Sequence, residues 1–131
     1  MHPKLRDFFD IRLEHVLAGL PQRIVQLLNE TPLHVEDYPS DEVMAQLGIA
    51  DRGTLCGLYT GVPLSDRSVN HPWRLPDVVT IYREGVLRCS ENGHGGLDEA
   101  ELIRQIRITV LHELGHYHGL DEDELTKLGY G

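Results

Sequence analysis

Hydrophobic residues recur every three or four positions towards both ends of this chain and cluster in short runs through its middle. Leu5, Phe8, Phe9, Leu13, Val16, Leu17 and Leu20 keep helical spacing, so residues 3 to 19 read as an amphipathic helix. Pro3 suits its first turn, and Gly19 and Pro21 interrupt it. Ile24, Val25, Leu27 and Leu28 mark a short second helix over residues 22 to 29, and Leu33 to Glu36 follow Pro32 as a short strand. Ser40 is placed to cap a brief third helix that stops near Gly48, with Asp41 and Glu42 in its first turn.

The middle of the chain changes character. Thr54 to Thr60 read as a strand, with Gly57 inside it as a bulge or a point of close approach. Residues 61 to 76 read as a long loop, a length that is usually functional or mobile. Val78 to Arg83, β-branched and aromatic, carry the strongest strand signal. Glu84-Gly85 is read as a turn into a partner strand, Val86 to Cys89, followed by a Gly-rich loop over residues 90 to 97. Asp98 and Glu101 resemble a capping box for a last helix. Leu102, Ile103, Ile106, Val110, Leu114 and Tyr117 supply its buried stripe, and Gly119 its C-terminal cap. That helix is about 20 residues, or roughly 30 Å, long. The predicted order is α-α-β-α-β-β-β-α, an α+β class with helices packed on one small sheet. At 131 residues the chain, 1–131, is one domain.

Charge narrows the partners. A net charge of −9, from 21 acidic and 12 basic side chains, disfavours nucleic acid and anionic membrane surfaces. No stretch reads as a secretory signal or a membrane span. Cys56 and Cys89 lie far apart in sequence and in no metal-like spacing, which favours two reduced, buried thiols and a cytoplasmic setting. A monomer is the default oligomeric state.

The chemistry concentrates in His112 to Leu125, HELGHYHGLDEDEL. Two histidines four apart on a helix face the same way, because four residues make roughly one turn of about 100° steps. His112 and His116 are therefore a metal-ligand pair of the His-Glu-x-x-His type, and Glu113 is placed to reach a metal-bound water rather than the metal. A catalytic Zn²⁺ takes three protein ligands and keeps one position for water. Gly119 allows the chain to turn back, which brings Asp121, Glu122, Asp123 and Glu124 into range as the third ligand. Glu122 is the first choice, since it stands where the His-Glu-x-x-His-x-x-Gly-x-x-His pattern has its last histidine; Asp121 is the runner-up. His118 points away from that face and suits the helix end, while His71 and His94 sit in loops and His2, His15 and His34 have no pattern around them. Zinc lowers the pKa of its bound water to about 7, so Glu113 is the expected general base on that water as it attacks a carbonyl. Tyr117, Tyr130 and His71 are candidates to steady the oxyanion, and the sequence does not choose among them. Val78 to Arg83 reads either as an edge strand that pairs with an extended peptide or as an interior strand.

Three ordered segments extend this picture. LCGLYTGVPLSDRSV, Leu55 to Val69, and LPDVVTIYREGV, Leu75 to Val86, accompany the histidine motif, and the first helix runs into Leu20-Pro21. Together they resemble the small bacterial zincin-like metallopeptidase family over most of the chain. The resemblance implies a minimal zincin-like fold with the motif helix against a small sheet. It implies His112 and His116 as zinc ligands, Glu113 as the catalytic carboxylate, and an acidic third ligand at Glu122. The chain departs from the metzincin pattern: its only methionines are Met1 and Met44, so no methionine turn follows the motif. The expected activity is zinc-dependent hydrolysis of small or flexible peptides, with one zinc per chain. The alternative is a metal-binding zincin-like module without significant proteolysis. A ribonuclease reading is opposed by Glu113 and by the −9 charge.

Overall fold

The computed structural model describes residues 1–60, 78–91 and 96–118, the backbone alone for 116–118. In chain order the elements are α1 (Pro3–Ala18), α2 (Gln22–Glu30), β1 (Leu33–Glu36), α3 (Asp41–Leu47), a 3-10 turn (Arg52–Thr54), β2 (Gly57–Thr60), β3 (Val78–Tyr82), α4 (Arg83–Cys89) and α5 (Glu99–His118). The fold is α+β, as expected: among the described residues, helices surround a three-stranded mixed sheet of order β1-β3-β2.

Local chemistry sets the helix ends. His2 precedes Pro3, and its imidazole accepts from the Lys4 amide at 3.1 Å. The Ser40 hydroxyl accepts from the Val43 amide at 3.2 Å, and α3 closes on Gly48 in the left-handed region. Asp98 accepts from the Glu101 amide at 3.1 Å, which is half of a capping box. The other half is missing. Glu101 instead accepts from Arg104 at 3.0 Å and Gln105 at 2.8 Å, and the Asp98 amide donates to the Ser90 carbonyl.

β3 is the middle strand. It runs parallel to β1, with Val35 opposite Ile81, and antiparallel to β2, with Gly57 opposite Ile81. Val79 and Ile81 face the core and are fully buried, while Thr80 and Tyr82 on the other face are nearly so. Of the two readings of Val78 to Arg83, the structure has the interior strand. The core joins Phe9, Leu13 and Val16 of α1, Ile24 of α2, Val79 and Ile81 of β3, Val86 and Leu87 of α4, and Leu102, Ile106, Val110, Leu111 and Leu114 of α5. Of the stripe expected on the last helix, Leu102, Ile106, Val110 and Leu114 are in place, widened by Leu111, with Ile103 only partly buried; the Tyr117 side chain lies outside the described residues.

One expected element is corrected. Val86 to Cys89 is not a strand, and Glu84-Gly85 is not a hairpin turn. β3 passes without a loop into α4. Two residues explain this. A Cβ at Gly85 would collide with the Leu55 carbonyl, so glycine here lets the helix lie flat on the backbone entering β2. Arg83, 12% exposed, ties the start of α4 to α1 and to the end of β1. It donates to Asp10 at 2.8 and 3.0 Å and to Asp37 at 2.9 Å, and Arg6 reaches the same Asp37 at 2.6 Å. β2 is also shorter than expected, because Arg52–Thr54 form a 3-10 turn before it. Residues 61 to 76, residues 92 to 95 of the Gly-rich loop and the Gly119 cap lie outside the described residues; Glu91 and Leu97 form an isolated bridge that flanks the Gly-rich segment.

Candidate functional site

The site grows from the packing of α5 on β2. Gly57 is the point of contact. A Cβ there would lie 2.9 Å from Thr109 Cγ2, 3.0 Å from Glu113 Cγ and 3.2 Å from the Thr80 carbonyl oxygen. The glycine expected as a bulge or a close approach is the latter, and what approaches it is the helix that carries the histidine motif. Because β2 has no side chain here, α5 comes close enough for Thr109 and Glu113, four residues apart on one helix face, to rest on the strand.

An open cleft of about 300 Å³ lies along this seam. Thr54, Cys56 and Gly57 line it from the strand side, and Gln105, Ile108, Thr109, His112 and Glu113 from the helix. Glu113 is 8% exposed, a degree of burial that glutamate rarely reaches. His112 is half-buried beside it. The structure therefore brings together two of the residues singled out from sequence, one imidazole and one buried carboxylate. α5 runs unbroken to His118, so His116 stands one helical turn beyond His112.

Sequence reasoning missed the rest of the wall. Gln105, Ile108 and Thr109 precede His112 by seven, four and three residues, which is the same 3.6-residue repeat carried backwards from the motif. That periodicity was a usable signal. Thr54 and Cys56 carried none, since the 3-10 turn and the chain entering β2 bring them there from far away in sequence. The Thr109 hydroxyl donates to the Gln105 carbonyl at 2.8 Å, which leaves its methyl group turned on Gly57.

The donor chemistry suits a divalent ion of the zinc type: a histidine on the wall of an open cleft, a second histidine one turn on, and a carboxylate next to the first. Among the described residues no group of three or more histidine, cysteine or acidic side chains stands together. The side chains of His116, Tyr117 and His118 lie outside the described residues, as do Asp121, Glu122, Asp123, Glu124, His71, His94 and Tyr130. His2, His15 and His34 are exposed on α1 and β1 or just before them, and line no part of this cleft.

The two cysteines differ from expectation. They are free thiols, but only Cys56 is partly buried; Cys89 is exposed, and the two Sγ atoms are 3.5 Å apart. Among the described residues no helix is long and apolar enough to cross a membrane.

No curated protein matches the chain. A family model described as zincin-like metallopeptidase matches residues 28–131, which takes in the sheet, the cleft and the whole histidine motif. The chain belongs to the zincin-like metallopeptidase family.

Proposed function

We propose that this protein is a zinc-dependent peptidase acting on small or flexible peptide segments, with Glu113 as its proton carrier. The observation that carries the reading is the buried carboxylate of Glu113 beside His112 on the wall of an open cleft. His112 and His116 would hold the metal, with Glu122 as the third ligand. Bound there, zinc supplies a Lewis acid for the scissile carbonyl and makes water a nucleophile near neutral pH. The residues of the chain do the rest. Glu113 accepts the proton of the attacking water and delivers it to the leaving amine nitrogen. Its seat on Gly57 fixes its distance from β2, so strand and carboxylate form one rigid wall. Ile108 lends the cleft apolar surface, while Gln105 and Thr54 are polar groups able to hold a peptide backbone. The openness of the cleft favours short or unstructured peptides over folded proteins. The −9 charge supports a peptide rather than a nucleic acid as substrate. The free thiols support work in the cytoplasm.

Metal analysis and turnover test this together. The purified chain is expected to hold about one zinc, and the His112→Ala/His116→Ala double variant to lose it. Glu113→Gln is expected to keep zinc and lose peptide cleavage by about a hundredfold or more. Full zinc retention by the double variant refutes the site. Zinc binding without cleavage of any member of a broad peptide library refutes the peptidase reading and leaves the non-proteolytic metal-binding module.

A further inference from the structure

We propose that Cys56 and Cys89 form a dithiol modification site, closed to a disulfide by oxidised low-molecular-weight thiols, at the edge of the cleft. The two sulfurs are 33 residues apart in sequence and 3.5 Å apart in space. A disulfide bond is about 2.05 Å, so closure needs a movement of roughly 1.5 Å, within reach of side-chain rotation.

The pair is held from the backbone up. The Tyr82 amide donates to the Cys56 carbonyl at 2.8 Å, which fixes the entry to β2. α4 lies flat on that same backbone at Gly85, where a side chain would strike the Leu55 carbonyl. Cys89 follows Gly85 by four residues, one helical turn along the same face of α4. The close approach at Gly85 is therefore also what sets Cys89 over Cys56. The core does not need Cys89: α4 contributes Val86 and Leu87 to it, and Cys89 is exposed, whereas Cys56 is partly buried and packs against the core.

The two sulfurs have different roles. Cys89 is the more exposed of the two. Burial, then the hydrogen bond with Cys89, pushes the Cys56 thiol up to about 12, so it is a poor first nucleophile. The Cys89 thiolate attacks one sulfur of a small disulfide such as oxidised glutathione, breaks its S–S bond and releases one thiol, leaving a mixed disulfide on Cys89. Cys56 gives its proton to solvent, attacks Cys89 Sγ and expels the second thiol. Two protein thiols are oxidised and one small disulfide is reduced to two thiols. Cys56 lines the cleft and precedes Gly57, against which Glu113 rests. Drawing Cys56 towards α4 shifts the strand wall against which Glu113 rests; this last effect alone rests on the peptidase reading.

The test uses the full chain, reduced, then equilibrated with mixtures of reduced and oxidised glutathione, quenched by alkylation and mapped by peptide mass spectrometry. Wild type is expected to yield an intramolecular Cys56–Cys89 link, lighter by two hydrogens, reversed by excess reduced glutathione. Cys56→Ser is expected to accumulate glutathione on Cys89, and Cys89→Ser to leave Cys56 unmodified in the folded state. Links only between chains, or no link at a ratio that oxidises a control dithiol, overturn the proposal. Glutathione on Cys56 in preference to Cys89 overturns the assigned roles. These readouts are masses, so they stand whether or not the chain cleaves peptides. If Glu113→Gln abolishes cleavage, the oxidised wild type is expected to lose activity about tenfold or more. Unchanged activity then sinks the link to the cleft.

Discussion

Replacing Gly57 by alanine puts one methyl group into the seam between β2 and α5, and the structure says what it meets. The new carbon would stand 2.9 Å from Thr109 Cγ2, 3.0 Å from Glu113 Cγ and 3.2 Å from the Thr80 carbonyl oxygen. Comfortable carbon–carbon contact is about 3.5–4.0 Å. Helix and strand must therefore part by roughly 0.5–1 Å, or two buried side chains must leave their rotamers. Overpacking of this kind costs about 1–3 kcal/mol. The lost freedom of the unfolded chain returns about 0.4–1 kcal/mol, so the net loss is about 1–2 kcal/mol. Urea denaturation should show this as a lower midpoint at unchanged slope, and thermal melting as a fall of roughly 3–10 °C. The Thr109→Ser background removes the nearest methyl group, and there the same substitution should cost about 0.5 kcal/mol less or better. Peptide cleavage should fall by about tenfold to a hundredfold in the single variant, more than its stability accounts for, because Glu113 is displaced. A Gly57→Ala protein as stable as wild type, or an undiminished cost in the Thr109→Ser background, would refute the packing on which the site is built.

Two further perturbations probe the frame around the site. Gly85→Ala meets the Leu55 carbonyl, a backbone atom that cannot rotate aside, so its cost should reach about 3 kcal/mol. By lifting α4 it should also slow formation of the Cys56–Cys89 link; an alanine variant that melts with wild type contradicts the contact. Asp37 is held below its ordinary value of 3.8, first by the hydrogen bond from Arg6 and then by that from Arg83. The unfolded chain therefore takes up this proton first as the pH falls. The carboxylate's contribution is complete above the unfolded value and drains away as the pH drops through the lower, folded one. Urea midpoints of Asp37→Asn should start lower at neutral pH and decline less steeply than wild type below that value; parallel curves would dismiss the role of this carboxylate.

Where neighbours in sequence decide the outcome, the chain could be read directly. Pro3, Ser40 and Asp98 mark helix starts, and β1 falls on Leu33–Glu36 as its β-branched centre suggests. His112 and Glu113 were visible because their spacing is itself the chemistry. α4 was not visible, since Gly85 looks like a turn until the Leu55 carbonyl arrives from 30 residues away in sequence. Arg83 carried no signal either. Its partners Asp10 and Asp37 lie on other elements, and only the folded topology brings two carboxylates to one guanidinium. The same holds for the sulfur pair, which sequence spacing placed apart. The half-made capping box shows a smaller effect: Glu101 has neighbours at the next turn, Arg104 and Gln105, that compete with the amide it would otherwise cap.

The position of α5 in the chain has a consequence for synthesis. Every strand among the described residues leaves the ribosome before it does, and α5 supplies Leu102, Ile106, Val110, Leu111 and Leu114 to the common core. Until those residues emerge, Val79 and Ile81 on the central strand share their core only with side chains of α1, α2 and α4. The nascent chain must therefore wait, with apolar strand surface exposed, for the segment that also carries the histidine motif. Covering the sheet and bringing His112 and Glu113 up to Gly57 are then a single event. A nascent chain cannot carry an assembled cleft before α5 has emerged and docked on β2, so the order of synthesis keeps the site out of every unfinished copy.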